Sequence, residues 1–223
     1  MNSLPRAVVF DLDGTLVDTA PDLTAALNHV LPRVDRGPVT VAAVRTMVGQ
    51  GLRRLIERSL IATGGIPEEA DVDSMFAGAF EFYGEHLTDR SFPFPGANDV
   101  LDHLTEAGVV LGVCTNKPIA LSERLLAELD LTKYFAAILG GDSLAVKKPD
   151  AAHLLTTLEQ MNAKTDQAVM IGDSQADIAV ARAANVSVVA VSYGYTMIPA
   201  SDLGADAIID NLSDLPETLA QFA

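Results

Sequence analysis

The sequence contains no tryptophan, a single cysteine and only 15 lysine and arginine residues, against 30 aspartate and glutamate residues. The resulting net charge of −15 argues against a nucleic-acid partner, because no cluster of basic residues offsets the repulsion of a phosphate backbone. Cys114 cannot form an internal disulfide, which fits a reducing compartment. We expect it to be a buried structural thiol.

Long apolar segments are also missing, since no stretch approaches about 18 consecutive apolar residues. The N-terminus has no basic region followed by an apolar one, so no secretory leader is predicted. We therefore expect a cytoplasmic protein with no membrane partner. With 223 residues, of which 49% are hydrophobic, the chain is long enough for one domain and a smaller additional unit.

The most informative segment runs from Ala7 to Asp18, where an apolar stretch is followed by two aspartates and a glycine. A strand that is apolar on both faces is typical of the centre of a parallel sheet, and ligands bind beyond the carboxyl ends of such strands. Asp11 and Asp13 would repel each other unless a cation or a proton neutralises the pair. Mg2+ prefers such oxygen ligands, and a carboxylate can also attack phosphorus. A polar turn or an EF-hand fragment is the alternative, but the further EF-hand ligands are missing.

The rest of the chain divides into two patterns. Residues 22–90 carry helical periodicity, whereas the sequence beyond residue 95 alternates helical patterns with short apolar strands. These later strands are predicted at 109–114, 136–139, 168–171, 186–191 and 207–209. The alternation predicts an α/β fold, a doubly wound Rossmann-like parallel sheet, with an inserted helical cap domain. We expect a catalytic core at 1–17 and 92–223 and a cap at 18–91 that acts as a lid.

Two further strand ends carry residues suited to binding phosphate. Thr115 and Asn116 precede a helix, where a hydroxyl and free N–H groups form an anion site, although an ordinary polar turn is an equal alternative. Lys147 and Lys148 precede a proline, and an extended lysine there can direct its ammonium group at a phosphoryl group. Solvation at the surface is the alternative for either lysine.

Asp173 follows another apolar strand and would complete an oxygen shell for Mg2+, with Asp177 four residues further on. Helix capping is the alternative for Asp173 and Ser174. The histidines fall in predicted helices without the spacing of metal ligands, and we interpret all of them as surface or interface side chains. They are His29, His86, His103 and His153.

Four elements in this order resemble the haloacid dehalogenase superfamily of phosphotransferases. The predicted helical insertion is similar to the first type of cap in that family. The resemblance covers nearly the whole chain and rests on Asp11-Leu-Asp13-Gly-Thr15, Thr115, Lys148 before Pro149, and Gly172-Asp173-Ser-x-x-Asp177.

The resemblance implies roles for these residues in catalysis and phosphate binding. Asp11 would be the nucleophile, and Asp13 would be the general acid and base. Thr115, the Asn116 amide and Lys148 would hold the phosphoryl group. An acid at Asp13 also favours phosphoester hydrolysis over dehalogenation, because an alkoxide leaving group must be protonated and a halide need not be.

The resemblance also implies a metal site. Asp11, the backbone carbonyl of Asp13, and Asp173 would bind Mg2+, while Asp177 would support the metal through waters or hydrogen bonds. The expected substrate contacts from the cap are Gly51, Leu52 and Arg53.

A finer resemblance, to bacterial members that hydrolyse 2-phosphoglycolate, concerns the substrate. Its residues are Asp18-Thr19, Gly49-Gln-Gly51-Leu52, Gly140-Gly141-Asp142, Lys147-Lys148-Pro149-Asp150 and Tyr193-Gly194-Tyr195. The implied activity is Mg2+-dependent hydrolysis of a small anionic phosphomonoester through an aspartyl-phosphate, by a monomer or homodimer. Another sugar-phosphate phosphatase and a phosphomutase are the alternatives, and a non-enzymatic sensor would require a damaged site.

Overall fold

The computed structural model describes residues 4–68, 70–196 and 198–223. The strands in these ranges are β1 (Ala7–Phe10), β2 (Val17–Asp18), β3 (Phe92–Pro93), β4 (Val110–Cys114), β5 (Phe135–Leu139), β6 (Ala168–Gly172), β7 (Ser187–Val191) and β8 (Ala207–Ile209). The α-helices in these ranges are α1 (Ala20–Val30), α2 (Val41–Arg45), α3 (Leu52–Ala62), α4 (Val72–Glu85), α5 (Ala97–Glu106), α6 (Ile119–Glu128), α7 (Ala151–Gln160), α8 (Gln175–Ala184) and α9 (Leu215–Leu219).

Six strands form one parallel sheet in the order β5-β4-β1-β6-β7-β8. In the register of β1, Val8 lies between Leu111 of β4 and Val169 of β6. The first strand of the sequence is therefore central in the sheet, as its apolar composition predicts. The α/β fold with a parallel sheet and inserted helices is confirmed, and the later strands lie within one residue of their predicted bounds.

Both faces of the sheet are covered, because successive side chains of a strand point to opposite sides. Val8 and Phe10 of β1 belong to a buried cluster that includes residues of α5 and α6. Ala7 and Val9 belong to the opposite cluster, which contains residues of α7 and α8. Each large apolar side chain removed from water contributes about 1.5–3 kcal/mol, so the core fixes the sheet and thereby the strand ends.

Several helices begin at residues whose side chains cap the first turn. Thr40 accepts from the N–H of Ala43 at the start of α2, and Asp71 accepts from two N–H groups at the start of α4. Asp150 accepts from the N–H of Ala152 at the start of α7. Such caps satisfy N–H groups that have no partner inside the helix, which explains where these helices begin.

Helices α1 to α4 form a helical insertion, residues 20–85, between β2 and β3. These two short strands pair antiparallel, so the chain leaves the sheet region and returns to it at adjacent positions. The buried carboxylate of Asp22 in α1 connects the start of the insertion to the segment that leaves it. It accepts from the N–H of Arg90 (2.9 Å), the N–H of Ser91 (2.7 Å) and the hydroxyl of Ser91 (2.7 Å).

None of the helices in the described ranges combines the length and the apolar character that crossing a membrane requires.

Candidate active site

Asp11 directly follows the central strand β1, and its carboxylate is buried at the carboxyl end of the sheet. Its Oδ1 atom accepts from the N–H of Leu12 (2.7 Å) and lies 3.0 Å from the Nζ atom of Lys148. Burial raises the pKa of Asp11 to about 7, although the ammonium group of Lys148 acts in the opposite direction. The structure therefore brings the expected nucleophile and the expected phosphate-binding lysine into contact.

Lys148 is almost completely buried between two carboxylates. Its Nζ atom lies 3.0 Å from Asp11 and 2.6 Å from Oδ1 of Asp177. Burial alone would lower the pKa of Lys148, but the charges of Asp11 and Asp177 outweigh it and raise the pKa. Its neighbour Lys147 is exposed and donates to the carbonyl of Gln50 (3.1 Å), so the two adjacent lysines occupy different environments.

Asp173 follows β6, the strand beside β1, and faces the same end of the sheet. Its carboxylate accepts from the hydroxyl of Thr15 (3.1 Å) and from the backbone N–H of Tyr195 (2.6 Å). Burial raises the pKa of Asp173, and the nearby charges of Asp177 and Asp11 raise it further. A buried carboxylate with so few donors retains capacity to bind a cation.

Asp177 combines a capping role with an ion pair. Its Oδ2 atom accepts from the N–H (2.9 Å) and the hydroxyl (2.6 Å) of Ser174, which caps α8, and from the N–H of Asp173 (3.2 Å). Its Oδ1 atom accepts from Lys148. The capping alternative, stated for Asp173 and Ser174, is correct for Ser174, and Asp177 completes that cap. Neither oxygen of Asp177 is unpaired.

Carboxylate oxygens of Asp11, Asp173 and Asp177 lie within 4.8 Å of one another, and all three residues are buried. The side chain of Asp173 packs directly against the backbone of two glycines. A Cβ atom on Gly14 or Gly194 would overlap it. An all-oxygen, negatively charged cluster fits Mg2+. Asp177 accepts four hydrogen bonds, whereas each oxygen of Asp173 accepts one and Oδ2 of Asp11 accepts none among the described residues, so Asp11 and Asp173 fit better as direct ligands.

Asp13 belongs to a second group, which includes a residue of the helical insertion. Its Oδ1 atom accepts from the hydroxyl of Thr19 (2.8 Å) and from the Nζ atom of Lys117 (3.1 Å). The same ammonium group donates to the hydroxyl of Tyr83 in α4 (2.6 Å) and lies 4.3 Å from the centre of its ring. Burial lowers the pKa of Lys117, although Asp13 acts in the opposite direction.

Lys117 and Tyr83 were not predicted as site residues. Lys117 stands directly after Thr115 and Asn116 at the end of β4, a position that could have identified it as a third polar residue facing the site. Tyr83 lies in a helix distant in sequence, and helical periodicity predicts its burial but not the partner of its hydroxyl.

Thr115 and Asn116 follow β4 at the same end of the sheet. The hydroxyl of Thr115 accepts from the backbone N–H of Lys117 (3.2 Å). The side-chain amide of Asn116 donates to the carbonyls of Gly49 (3.0 Å) and Lys148 (3.2 Å). Asn116 therefore links the loop of the insertion that contains Gly49 to the loop that contains Lys148.

Asp11, Asp13 and the polar residues after β4 line a cavity of about 30 Å³ between the sheet and the helical insertion, whereas Lys148, Asp173 and Asp177 lie outside its lining. Of the three residues expected from the cap, Gly51 and Leu52 line it, whereas Arg53 lies in a neighbouring groove of about 510 Å³. The guanidinium group of Arg53 forms ion pairs with Asp73 and Glu57. The cavity is lined by Asp11, Asp13, Leu23, Val48, Gly49, Gly51, Leu52, Leu55, Tyr83, Thr115, Asn116, Lys117, Pro118 and Leu121.

The order of the motifs agrees with a family model for haloacid dehalogenase-like hydrolases, which matches residues 8–191. The chain belongs to this family. The match contains the carboxylates after β1, the polar residues after β4, Lys148, and the carboxylates that follow β6. The family resemblance inferred from the motifs is therefore confirmed.

Several named relatives align with this chain over nearly its full length. A phosphoglycolate phosphatase of Agrobacterium fabrum is 42% identical over 98% of this chain and 95% of its own. One of Rhodospirillum rubrum is also 42% identical, over 97% of this chain and 91% of its own. A crystal structure from Haemophilus somnus, titled a predicted phosphoglycolate phosphatase, superposes with a TM-score of 0.89 at 30% identity, covering 97% and 98% of the two chains.

One expectation was wrong, because His153 is completely buried rather than at the surface. Its Nε2 atom lies 3.0 Å from the carbonyl of Gly140, which can only accept, so this nitrogen carries the proton. Its Nδ1 atom is 3.6 Å from the sulfur of Cys114 and accepts from the thiol. Burial lowers the pKa of His153, so the neutral ring is favoured behind β4, the strand that ends at Cys114.

Proposed function

We propose that the chain is a Mg2+-dependent phosphatase that hydrolyses 2-phosphoglycolate to glycolate and phosphate through an aspartyl-phosphate on Asp11. The observation that carries the proposal is the buried Asp11 carboxylate, which is held by Lys148 at the end of β1 and lines the cavity beneath the insertion. Membership of a hydrolase family and the names of the relatives support a phosphoric monoester hydrolase.

In the first step, a carboxylate oxygen of Asp11 attacks the phosphorus, and the bond from phosphorus to the ester oxygen breaks. Asp13 donates a proton to that ester oxygen as it leaves. In the second step, Asp13 takes a proton from a water molecule, and the water oxygen attacks the phosphorus. The bond from phosphorus to the Asp11 oxygen breaks, which releases phosphate and regenerates the Asp11 carboxylate and the protonated Asp13.

Thr115, Asn116 and Lys148 would hold the phosphoryl group during both steps. The ammonium group of Lys148 already lies against Asp11, so it can contact the oxygens of a phosphoryl group transferred to that residue. The side-chain amide of Asn116 is committed to two carbonyls, so we assign its phosphate contact to the backbone N–H. This N–H precedes helix α6 closely and suits an anion.

Asp11, the backbone carbonyl of Asp13, and Asp173 would hold Mg2+, with Asp177 fixing Lys148 and the start of α8. When bound, Mg2+ would offset the negative charge of the carboxylates and of the phosphoryl group. The buried, all-oxygen cluster supports this assignment.

The helical insertion supports closure of the site over a small substrate. The loop before α3 contacts the core at two points, where Gly49 accepts from Asn116 and Gln50 accepts from Lys147. We therefore propose a catalytic core at 1–17 and 92–223 and a cap at 18–91, which excludes bulk water when closed. We also propose that the protein acts in the cytoplasm as a monomer or homodimer.

The test is phosphate release from 2-phosphoglycolate and a panel of sugar phosphates, with Mg2+ and with EDTA. We expect release to require Mg2+, to be fastest with 2-phosphoglycolate, and to fall at least about 10⁴-fold in Asp11→Asn, because the amide cannot act as the nucleophile. Asp166→Asn, at an exposed position, is the matched control and should retain wild-type activity.

Three results would count against the proposal. Wild-type turnover by Asp11→Asn would exclude the aspartyl-phosphate. Faster release from a larger sugar phosphate would keep the phosphatase and reject 2-phosphoglycolate. An isomerised product without free phosphate would indicate a phosphomutase.

A further inference from the structure

The ammonium group of Lys117 makes one contact that is longer than its other two. Its donors are directed at the two carboxylate oxygens of Asp13 (3.1 and 3.4 Å) and at the hydroxyl of Tyr83 (2.6 Å). The side chain is only 2% exposed, and the residue lines the cavity. The 3.4 Å contact to the second oxygen of Asp13 is weak, so an acceptor on a ligand in that cavity can replace it while the two shorter contacts are kept.

The positive charge of Lys117 has no equivalent elsewhere in the described lining of the cavity. Lys117 is the one basic residue among those that line it in the described part of the chain, and most of the lining from the insertion is apolar. Among the other cations near the site, Lys148 is engaged with Asp11 and Asp177, and Arg53 with Asp73 and Glu57. Lys147 donates to the carbonyl of Gln50 and lines the neighbouring groove but not this cavity. An anionic group other than the phosphate would therefore find its cation at Lys117.

The position of Lys117 relative to Asp13 sets which part of a substrate it meets. Asp13 protonates the ester oxygen in the proposed reaction, and Lys117 lies 3.1 Å from its carboxylate. In 2-phosphoglycolate, a single methylene separates the ester oxygen from the carboxylate. The phosphate end faces Asp11 and Lys148, so the opposite end of the molecule faces Lys117 and Tyr83.

We propose that Lys117, together with the hydroxyl of Tyr83, binds the carboxylate of the substrate. The pair thereby selects small phosphomonoesters whose leaving group is a carboxylic acid. This inference rests on the proposed function and assigns a residue to its substrate specificity.

The test measures binding rather than turnover. In the Asp11→Asn background with Mg2+, calorimetry compares 2-phosphoglycolate with 2-hydroxyethyl phosphate, which has the same two carbons but no carboxylate. Lys117→Met should reduce the preference for 2-phosphoglycolate by about 30- to 100-fold, the usual range for losing a buried charge-assisted hydrogen bond. An effect that acts through Asp13 changes both ligands alike and cancels in the ratio.

Two further variants control the experiment. Lys133→Met makes the same change of charge at an exposed lysine far from the cavity and should leave the ratio unchanged. Lys117→Gln retains a donor toward Asp13 while removing the charge, and it serves if Lys117→Met does not fold by circular dichroism. It should lose the preference as well.

The outcomes separate the two proposals. Equal weakening of both ligands in the Lys117 variants, or no preference before substitution, would overturn the role of Lys117 and leave the proposed function standing. Loss of the preference as expected, without phosphate release from 2-phosphoglycolate by the wild-type protein, would reject the proposed function and retain the carboxylate site.

Discussion

Two buried lysines divide the site into halves that are built differently. In the core half, Lys148 lies between Asp11 and Asp177, and every partner belongs to the sheet or to the helix that follows β6. In the insertion half, Lys117 lies between Asp13 of the core and Tyr83 of the insertion. The first lysine has two carboxylate partners, and the second has one carboxylate and a neutral hydroxyl.

In the proposed assignment, the core half binds the phosphoryl group, which all phosphomonoesters share, and the insertion half binds the leaving group, which differs between them. The proposed phosphate contacts of Thr115 and Lys148 come from loops of the core. The insertion half is complete only when α4 packs against the core, because Tyr83 is one of its members. We infer that closure of the insertion completes the site for the leaving group and leaves the phosphate site as it was.

The largest expected difference between the halves is in stability. Lys148→Met leaves Asp11 and Asp177 buried without their cation, so the free energy of unfolding of the metal-free protein should fall by about 3–5 kcal/mol. Lys117→Met should cost less, about 1–2 kcal/mol, because the side chain of Asp13 is 14% exposed and Thr19 still donates to it. Urea unfolding of both variants in EDTA measures the difference.

The exposed ion pair of Lys133 provides the reference for that experiment, since Lys133→Met should change stability by less than about 1 kcal/mol. Equal losses for the two buried lysines would mean that the halves do not differ in the way their contacts indicate.

Binding of Mg2+ should raise the Tm through the core half and not through the insertion half, which is a smaller and reversible effect. At about 100 times its Kd, a ligand of the native state adds about 2.7 kcal/mol, which corresponds to about 5–10 °C in the Tm of a chain of this length. We expect this increase in wild type and in Lys117→Met but not in Asp173→Asn, which lacks a direct ligand. A full increase in Asp173→Asn would place the cation elsewhere.

The core half could be predicted from the sequence because strand order alone assembles it. Asp11, Thr115 and Asp173 each follow an apolar strand, and parallel strands bring their carboxyl ends to one edge of the sheet. Lys148 required the family pattern as well, since its neighbour Lys147 has the same local sequence and yet is exposed.

The insertion half could not be predicted in the same way. The contact of Lys117 with Tyr83 joins residues far apart in the chain, and it depends on how α4 packs against the core. Periodicity identifies the buried face of a helix but not the atom opposite each side chain. Arg53 shows the same limit, because its position next to Leu52 does not reveal that its charge is engaged by Asp73.

The smallest expected effect concerns Cys114 and His153, which are buried against each other and form the layer behind the core half. Burial raises the pKa of the Cys114 thiol to about 12, although the charge of Lys148 acts in the opposite direction. The native protein therefore retains the thiol proton at pH 8. The raised pKa of Cys114 lowers the free energy of unfolding only above about pH 9, the ordinary pKa of the thiol. Above that pH the unfolded chain releases the thiol proton while the native protein still retains it.

We therefore expect the native protein to react with Ellman's reagent at pH 8 at least about 100-fold more slowly than the protein in urea, because the thiolate is the reactive form. Cys114→Ala should abolish the reaction in both states. The reagent should label the wild-type protein equally slowly with and without bound 2-phosphoglycolate, since Cys114 lies in the sheet and not in the cavity. Rapid labelling of the free protein alone would show that the layer behind the core half opens when the site is empty, and the contrast between a fixed core half and a movable insertion half would then be wrong.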